Sequence, residues 1–591
     1  MAEFAEILVI TVILVGTFSP IMSDAINHKY QKGDSVPLYA NKIGPFHNPS
    51  ETYPYYNLPF CTPDYPKEKG ESLGEVLNGD HLVTAPYKLD FLVNKSSEVV
   101  CRKNLTKDEV SQFQTAVAQD YYLQMYYDDL PIWAFTGKTE RDGESSPDEY
   151  RYFIYTHLHF DIFYNGNNVI EISVRSAHTG LTELAADKVV DVEFLYSVKW
   201  KEIDSPFEKR MDKYTASAQL PRHLEIHQLS IMNSFWTILI LIGFLLALYV
   251  RVLRKDFYKF GNDVELADDQ EETGWKILHG DVFRYPNYKA LFAAAMGCGT
   301  QLLAVVVSIL ILGLFGFFRP YDRGVIQIAL IITYALTCGL GGFTAGSFYH
   351  QLEGNEWVRN LCLTGCLFCG PLFLAFCFLN TVASIYGTTV KLPLGTVVMI
   401  FVMLLFLGLP LLLLGGSYGR RIISKFEAPC RTTKCVREIP RQRWYRGILP
   451  QMALAGFLPF GAIYIELYYI LASIWGHRIY TLYGMLCIAF SLLVITTALV
   501  SIGLTYFQLA AEDHRWWWRS FLCGGSTGLY LFAYSFFYYF QRSDMKGLMQ
   551  TSFFFGYMTC FSYAIFLLLG TVGFRASLLF VRYIYSNIKC D

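Results

Sequence analysis

The sequence has 591 residues, of which 53% are hydrophobic, 16% are aromatic and only 17% carry a charge. Its mean hydropathy of +0.28 exceeds that of ordinary soluble chains and indicates a membrane protein. A formal net charge of -2 provides no positive field for a nucleic acid, so we expect no nucleic-acid partner.

The N-terminus has the pattern of a secretory signal peptide, which we assign to residues 1–25. The apolar run Phe4–Pro20 is short for a spanning helix, and Ser23 and Ala25 place small residues where a signal peptidase reads them. We therefore expect cleavage after Ala25 and a mature chain that begins near Ile26. No basic residue precedes the apolar run, which leaves an uncleaved membrane anchor as the alternative.

Residues 26–229 are predicted to form a lumenal β-rich domain. Three segments rich in aromatic and β-branched residues, each bounded by turn-forming residues, are typical of strands. They are Glu149–Gly166, Val169–Ser176 and Val189–Trp200. One helix is predicted before them, because Thr106 and Glu109 have the spacing of a capping box and residues 110–127 follow as a helical segment. The combination predicts a β-sandwich with a helical insert.

Two sequons and two cysteines of this domain depend on its compartment. Asn94 and Asn104 each begin an N-glycosylation sequon, which is used only if the domain is lumenal. Of the 14 cysteines, only Cys61 and Cys101 lie in the predicted lumenal part. A disulfide between them and a pair of buried free thiols are the two interpretations that the sequence leaves open.

The sequence contains no pattern that predicts catalysis. His157 and His159 alternate along a predicted strand, as in the start of a metal site, but no third spaced ligand follows them. We therefore interpret both as exposed strand residues. A nucleophile elbow, a phosphate-binding loop and a metalloprotease helix are missing as well, so we expect neither an enzyme nor a bound metal or cofactor.

Nine apolar segments of membrane-spanning length follow, in a transmembrane domain assigned to residues 230–581. They cover residues 230–250, 290–317, 325–349, 361–387, 393–416, 448–474, 482–506, 519–540 and 553–581. The basic loops after the first and fifth spans, Arg251–Phe260 and Gly419–Gly447, are expected in the cytosol by the positive-inside rule. The N-terminal domain then lies in the lumen, and the odd number of spans puts the tail, residues 582–591, in the cytosol.

Glu466 lies inside the sixth predicted span, where an ionisable side chain is costly and marks a candidate functional site. Pro459 and Gly461 precede it by one to two turns and can open backbone carbonyls beside it. One interpretation is a proton or cation relay, and the other is a protonated carboxyl group that fixes helix packing. The other spans offer almost no second carboxylate or lysine, which favours the structural interpretation.

Four further segments of the membrane region are interpreted as structural. The segment Ala511–Phe521, with three adjacent tryptophans and two arginines, is typical of an aromatic belt at the bilayer surface, and a partner-binding patch is its alternative. The glycine-rich segments Thr337–Ser347 and Gly297–Gln301 predict close helix packing. Gly274–Arg284 is expected to form an ordered turn beside the membrane.

Long segments of the chain resemble, in order, those of the transmembrane 9 superfamily, also called nonaspanins or endomembrane protein 70 relatives. The segments are Gly33–Pro45, Tyr55–Cys61, Leu73–Asp80, Met125–Trp133, Gly274–Arg284, Leu458–Leu467 and Glu512–Phe521. His81 and Cys298 depart from the pattern, since Arg and Ser are usual there. The resemblance implies nine transmembrane helices behind a lumenal β-rich domain.

The resemblance also implies two signals near the cytosolic C-terminus. The last three residues, Lys589, Cys590 and Asp591, match the Lys-x-Asp/Glu ending that coatomer reads to hold family members in the Golgi. A second group matches the aromatic and aliphatic signal that the export coat reads at the endoplasmic reticulum. It consists of Phe580, Val581, Tyr583 and Ile584.

We therefore expect a multi-pass protein of Golgi and endosome membranes that helps to sort or deliver other membrane proteins. Its implied partners are coatomer, the export coat, the lipid bilayer and membrane-protein clients, among which the resemblance favours clients with glycine-rich spans. One alternative function is a proton or cation transporter or channel that uses Glu466. A lumenal glycan-binding or adhesion module on a membrane anchor is the third hypothesis.

Overall fold

The computed structural model describes residues 28–586 except 142–149, 177–179, 186–187, 215–223, 263–273, 320–321, 423–425, 427 and 477–481. The predicted signal peptide, Ile26 and the predicted retention residues Lys589, Cys590 and Asp591 lie outside the described residues. The described chain forms a strand-rich domain up to residue 214 and a bundle of long helices from residue 224. This architecture confirms the predicted fold class.

The strand-rich domain contains twelve strands among the described residues. They are β1 (Leu38–Pro45), β2 (Tyr53–Pro54), β3 (Val83–Thr84), β4 (Lys95–Leu105), β5 (Tyr121–Tyr127), β6 (Leu130–Phe135), β7 (Gly137–Arg141), β8 (Tyr150–Tyr155), β9 (His157–Asn165), β10 (Asn168–Ser176), β11 (Leu181–Glu183) and β12 (Val190–Glu202). One sheet has the order β2-β1-β5-β6 with β3 beside β1, a second has β10-β9-β12-β4, and a third has β11-β8-β7. Neighbouring strands run antiparallel except β9 and β12, which are parallel.

The sheets enclose one apolar core together with helix α2 (Lys107–Ala118), while the short helix α1 (Leu73–Leu77) lies nearer the bundle. Phe113 of α2, Phe160 of β9 and Phe194 of β12 are all buried in this core. Cys61 and Cys101 are joined by a disulfide, which is the first of the two interpretations that the sequence left open.

Helix α2 begins where the sequence predicts but ends earlier. The hydroxyl of Thr106 accepts the Glu109 N–H, and the Glu109 carboxylate accepts the Thr106 N–H at 2.9 Å, which is the predicted capping box. Asp120 then has a φ of 50°, and the next residues form β5 between β1 and β6. The helical prediction for residues 110–127 is therefore wrong in its second half, because pairing with two strands decides the conformation of this tyrosine-rich segment.

The prediction of one strand over Glu149–Gly166 is also wrong. Strands β8 and β9 divide this segment at Thr156 and belong to different sheets. Both the N–H and the hydroxyl of Thr156 donate to the carbonyl of Gly180, at 2.8 and 2.9 Å. These bonds hold the chain at the point where it passes from one sheet to the next.

Eight helices of the described chain are long and apolar enough to cross a membrane. They are α3 (Leu224–Asn262), α4 (Lys289–Leu314), α5 (Val325–Gln351), α6 (Trp357–Tyr386), α7 (Leu394–Ile422), α8 (Ile448–Ile474), α9 (Tyr483–Ala510) and α12 (Leu548–Ser586). Two shorter helices, α10 (Trp516–Gly525) and α11 (Thr527–Arg542), follow each other with a break at Ser526. Together they cover the predicted eighth span.

The number of crossings follows from the positions that contact the strand-rich domain. Arg323 before α5, Thr389 after α6 and Gln550 in the first turn of α12 all contact this domain, so they share one end of the bundle. Between Thr389 and Gln550 lie α7, α8, α9 and the α10–α11 pair. The chain returns to the same end only after an even number of crossings, so the pair crosses once. The described residues therefore form nine membrane crossings.

Small residues bring α5 and α7 into backbone contact. A Cβ atom added to Gly342 would lie 2.0 Å from the carbonyl oxygen of Leu412, and one added to Gly346 would lie 2.5 Å from that of Gly416. The glycine-rich segment of α5 is thus occupied by a neighbouring helix of the same chain, as expected for close packing through small residues.

Candidate functional site

A buried ion-pair network joins the strand-rich domain to the bundle. The guanidinium of Arg323, in the loop between α4 and α5, lies 2.5 Å from the Glu75 carboxylate and 3.5 Å from that of Asp80. Lys42 of β1 approaches Asp80 at 3.1 Å, and the side-chain amide of Asn41 donates to it at 2.9 Å. Because Asp80 is only 4% exposed, its charge is balanced by these groups rather than by water.

The sequence brings these groups together through a helix cap and one close backbone contact. Ser72 caps α1 in a capping box that includes Glu75, which fixes the start of this short helix. Gly324 has a φ of +71°, and an added Cβ would lie 2.0 Å from the carbonyl oxygen of Gly74. Only residues without a side chain allow this approach, which places Arg323 directly beside α1.

Burial alone would lower the pKa of the Arg323 guanidinium. Tyr126, Glu75 and Asp80 outweigh that effect and raise the pKa of Arg323 above its ordinary value. Arg323 therefore stays positively charged where the strand-rich domain meets the bundle, and its ion pairs join the two parts.

A second contact lies beside the first, at the loop before β2. The hydroxyl of Ser50 donates to the side-chain carbonyl of Gln550 at 2.6 Å, and the amide of Gln550 donates to Glu51 at 2.9 Å. The Thr389 N–H donates to the carbonyl of Thr52 at 2.9 Å. Three consecutive residues of the domain thus hold the end of α6 and the start of α12.

The sequence alone does not identify Arg323 or Gln550 as contact residues between the two parts. The short loop between the second and third spans contains two arginines, Arg319 and Arg323, and nothing in the sequence identifies a partner for either. The segments Gly33–Pro45, Leu73–Asp80 and Met125–Trp133, which carry the family resemblance, supply the network residues on the side of the domain.

Glu466 lies on the buried face of α8 and is 1% exposed. One turn earlier, the carbonyl of Ala462 accepts a hydrogen bond from the Ser234 hydroxyl of α3 at 3.1 Å. Pro459 lies a further turn back inside the same helix. The structure therefore places this carboxyl group inside the bundle, where an ionisable side chain has to be satisfied by protein groups.

Two of the three tryptophans of α10 do not lie in a belt at the surface. Trp516 and Trp517 are buried, and the indole of Trp516 donates to the carbonyl of Val282 at 2.8 Å. The ring centroids of Trp516 and Phe574 are 5.6 Å apart in a stacked arrangement. The belt interpretation is wrong for these two residues, because α10 packs against α12 and the loop before α4.

The segment Gly274–Arg284 is ordered at the same end of the bundle, as expected. Its first seven residues form the 3₁₀ helix Gly274–Gly280. Asp281 then accepts from Arg284 at 2.5 Å and from the N–H of Arg437 at 3.3 Å. The segment thereby fastens the loop before α8 to the loop before α4.

The end of α12 is fixed at this end of the bundle, opposite the strand-rich domain. Tyr585 is buried, and its hydroxyl donates to the carbonyl of Trp275 at 2.6 Å. The predicted export residues all lie on this helix. Val581 is buried, Phe580 and Ile584 are half-buried against the apolar core, and Tyr583 is 57% exposed.

The remaining predicted site residues lie in the strand-rich domain. Asn94 and Asn104 are exposed, and the side-chain oxygen of Asn94 accepts the N–H of Trp200 at 2.8 Å. The exposed-strand interpretation is wrong for His157, which is buried and makes a 2.6 Å hydrogen bond with the Ser197 hydroxyl. No cluster of three or more metal-ligating side chains occurs within the part of the chain that the structure describes.

A strand-rich N-terminal domain seated on nine apolar crossings defines a multi-pass membrane protein. More particularly, the chain belongs to the transmembrane 9 superfamily, since the family described as Endomembrane protein 70 matches residues 52–548. Transmembrane 9 superfamily member 2 of Arabidopsis thaliana is 61% identical over 99% of each chain, and member 4 of the same plant is 59% identical over 100% of each. Member 1 of Bos taurus is 43% identical over 96% of this chain and 95% of its own. No solved structure matches the chain.

Proposed function

We propose that this protein sorts or delivers other membrane proteins in Golgi and endosome membranes, with the strand-rich domain in the lumen and the tail in the cytosol. The observation that carries the proposal is the division of the molecule into two ends. The strand-rich domain contacts one end through Arg323 and Gln550, and the last helix finishes at the other end beside Trp275. One chain can therefore bind a client on one side of the membrane and a coat on the other.

Coatomer is the proposed partner of Lys589 and Asp591. The anchored Tyr585 fixes where the tail starts, and the six residues after it reach at most about 20 Å when fully extended. An ammonium group and a carboxylate on such a short tail suit a pair of oppositely charged pockets on a coat protein. The tail is then held near the membrane, where coats assemble.

The export signal is proposed to act through its exposed member. Tyr583 is the export residue with the most exposed side chain, whereas Val581 is fully buried in the helix contact. A coat that reads the folded protein would recognise Tyr583 on the surface of a helix. The sequons at Asn94 and Asn104 are proposed to carry glycans, which requires the lumenal orientation.

The proposal requires no catalysis and no cofactor, and a comparison of surface proteomes tests it. Cells that lack the protein are compared with cells that express the native chain. The expected result is a reduced surface level of a set of membrane proteins and its recovery with the native chain. Unchanged surface levels in both would overturn the sorting function.

The buried position of Glu466 supports a second candidate function, a proton or cation path through the bundle. The native chain and Glu466→Gln are reconstituted in vesicles, and the decay of an imposed ion gradient is measured. A flux that is present in the native chain and lost in Glu466→Gln would support transport. An equal decay of the gradient in empty vesicles, in vesicles with the native chain and in vesicles with Glu466→Gln would exclude transport.

A further inference from the structure

A groove runs along the side of the strand-rich domain down to the bundle, and we call it the boundary groove. Its upper part has a volume of about 800 Å³ and its lower part of about 520 Å³. The two parts are continuous, because His47, Ala118 and Asp120 line both. Volumes of this size are typical of sites that enclose a ligand or a peptide segment.

Aromatic side chains line the upper part of the boundary groove. They are Phe46, Phe135, Tyr150, Tyr152 and Tyr155. The ring centroids of Phe46 and Phe135 are 5.5 Å apart, and Phe135 and Tyr150 are each 45% exposed. Aromatic side chains are enriched at the centres of protein interfaces, where they supply contact area at a low entropic cost. The upper groove therefore has the chemistry of a protein-binding surface.

An edge strand borders the same part. Within the described residues β7 pairs with β8 alone, so one of its edges has no partner strand. Three consecutive residues of β7, Gly137, Lys138 and Thr139, line the groove. Since alternate side chains of a strand point to opposite faces, consecutive lining residues indicate that the strand presents its edge. An extended polypeptide can add to such an edge through backbone hydrogen bonds.

The lower part of the groove is acidic and ends at the membrane boundary. Carboxylates of Glu51, Asp120 and Asp544 line it, against one lysine, Lys546, and one histidine. The last residue of α6, Tyr386, and the first residues of α12 also line it. A basic segment that leaves the membrane would therefore meet complementary charge as it enters the groove.

The outer face of α6 leads directly to this entrance. Ile385 is 76% exposed, and Leu374 and Phe378 are exposed above the middle of the helix. A Cβ atom at Gly370 would meet nothing within 4 Å, so the backbone is open to a close neighbour there. A transmembrane helix packed on this face would deliver its flanking chain to Tyr386.

We propose that the boundary groove holds the extended segment that adjoins the span of a client membrane protein, on the side of the strand-rich domain. The segment carries lysine or arginine next to its span and aromatic residues farther along. The assignment rests on the proposed sorting function and specifies how a client is recognised. A client would then be recognised by the segment that flanks its span, in addition to any contact that the span itself makes within the membrane.

Photo-crosslinking in intact membranes tests this assignment. The full-length protein carries a photoreactive phenylalanine analogue at Phe135 or, as a control on the exposed face of β4, at Val99. Two single-span reporters have the same transmembrane sequence and differ only in the segment that flanks it on the side of the strand-rich domain. This segment is rich in tyrosine and lysine in one reporter and composed of glycine and serine in the other. We expect the Phe135 probe to capture the aromatic and basic flank about tenfold more strongly, and Asp120→Lys to reduce the capture by a similar factor.

Three outcomes would overturn the assignment. They are equal capture of both flanks, capture that disappears when the reporter is deglycosylated, and transfer of the label to lipid alone. Surface delivery of the reporters, with and without the protein, separates this inference from the proposed function. Delivery that depends on the protein but not on Asp120 rejects the groove and retains sorting. Capture without any effect on delivery retains the groove and rejects sorting.

Discussion

The guanidinium carbon of Arg323 lies over the ring of Tyr126, 4.3 Å from its centroid, while the same guanidinium pairs with Glu75 and Asp80. The arginine belongs to the bundle, and its three partners belong to the strand-rich domain. A planar, permanently charged group suits this position, because it can stack on a ring and pair with two carboxylates at once. One side chain thus connects the two parts of the molecule.

Removal of that side chain should loosen the connection. Arg323→Ala leaves Glu75 and Asp80 buried with less positive charge, and breaking a buried pair in this way costs about 3 to 5 kcal/mol. We expect a clear fall in the apparent Tm of the detergent-solubilised protein and faster hydrogen exchange at β1 and α1. Arg102→Ala is the matched control, since Arg102 is 75% exposed by side chain and pairs with Glu193 at 2.8 Å on the surface. Equal effects of the two variants would contradict the assigned role.

Close helix packing at Gly342 provides a second prediction. In Gly342→Ala the new methyl group would lie 2.0 Å from the Leu412 carbonyl oxygen, so α5 and α7 have to move apart. Overpacking of this kind costs about 1 to 3 kcal/mol, and we expect a lower apparent Tm. Gly243→Ala in α3 is the control, because its Cβ would meet nothing within 4 Å. If the two variants melt together, the contact is not tight in the native protein.

The span positions, the capping box at Thr106 and the close packing of the glycine-rich segment in α5 could be predicted from the sequence, because each has its signal in residues that are near one another in the chain. The break at Thr156 could not, since it depends on the carbonyl of Gly180 and on which sheet each half joins. The early end of α2 has the same cause. Strand formation responds to neighbouring strands more than to local preference.

The candidate sites also divide into those with a local signal in the sequence and those that depend on residues distant in the chain. Glu466 could be singled out, because a carboxylate in an apolar run is a local signal. Arg323 could not be matched with Glu75, whose position follows from the fold of a separate domain. The burial of Trp516 and Trp517 could not be predicted, because composition cannot distinguish a ring at the lipid surface from a ring packed on Phe574.

Burial of His157 predicts a pH-dependent stability. Burial and, secondarily, the nearby His159 hold the pKa of His157 below its ordinary value. The unfolded chain, with an ordinary histidine pKa of about 6.5, therefore binds more protons as the pH falls through that range. The stabilising contribution of the neutral ring is complete above about pH 6.5 and is lost progressively below it.

We therefore expect the apparent Tm of the native protein to fall from pH 7.5 to pH 5 more steeply than that of His157→Gln. In terms of the free energy of unfolding, the two slopes should differ by no more than about 1.4 kcal/mol per pH unit, the limit for one proton. Identical slopes for the native chain and His157→Gln would refute the prediction.

Tyr585 should control the last turn of α12. Tyr585→Phe keeps the ring on Trp275 but removes the 2.6 Å hydrogen bond to its carbonyl, which costs about 1 to 3 kcal/mol when the acceptor stays buried. We expect faster hydrogen exchange over the final turns of the helix. Tyr583→Phe, on the exposed side of the same helix, should leave exchange unchanged. An unaltered exchange rate in Tyr585→Phe would show that ring packing alone fixes the helix end.

The tail provides the last prediction, since its two charges follow closely after an anchored residue. In Lys589→Ala with Asp591→Ala, both groups proposed to bind coatomer are lost, while the anchor at Tyr585 is retained. Charge-assisted bonds contribute about 1.5 to 3 kcal/mol each, so losing two of them should weaken coat binding by at least about a hundredfold. We expect the protein to shift from the Golgi to later compartments in fluorescence microscopy, and its tail peptide to lose coatomer in pull-down. Asn587→Ala is the control within the same tail. Golgi residence that survives the double substitution would place the retention signal elsewhere in the chain.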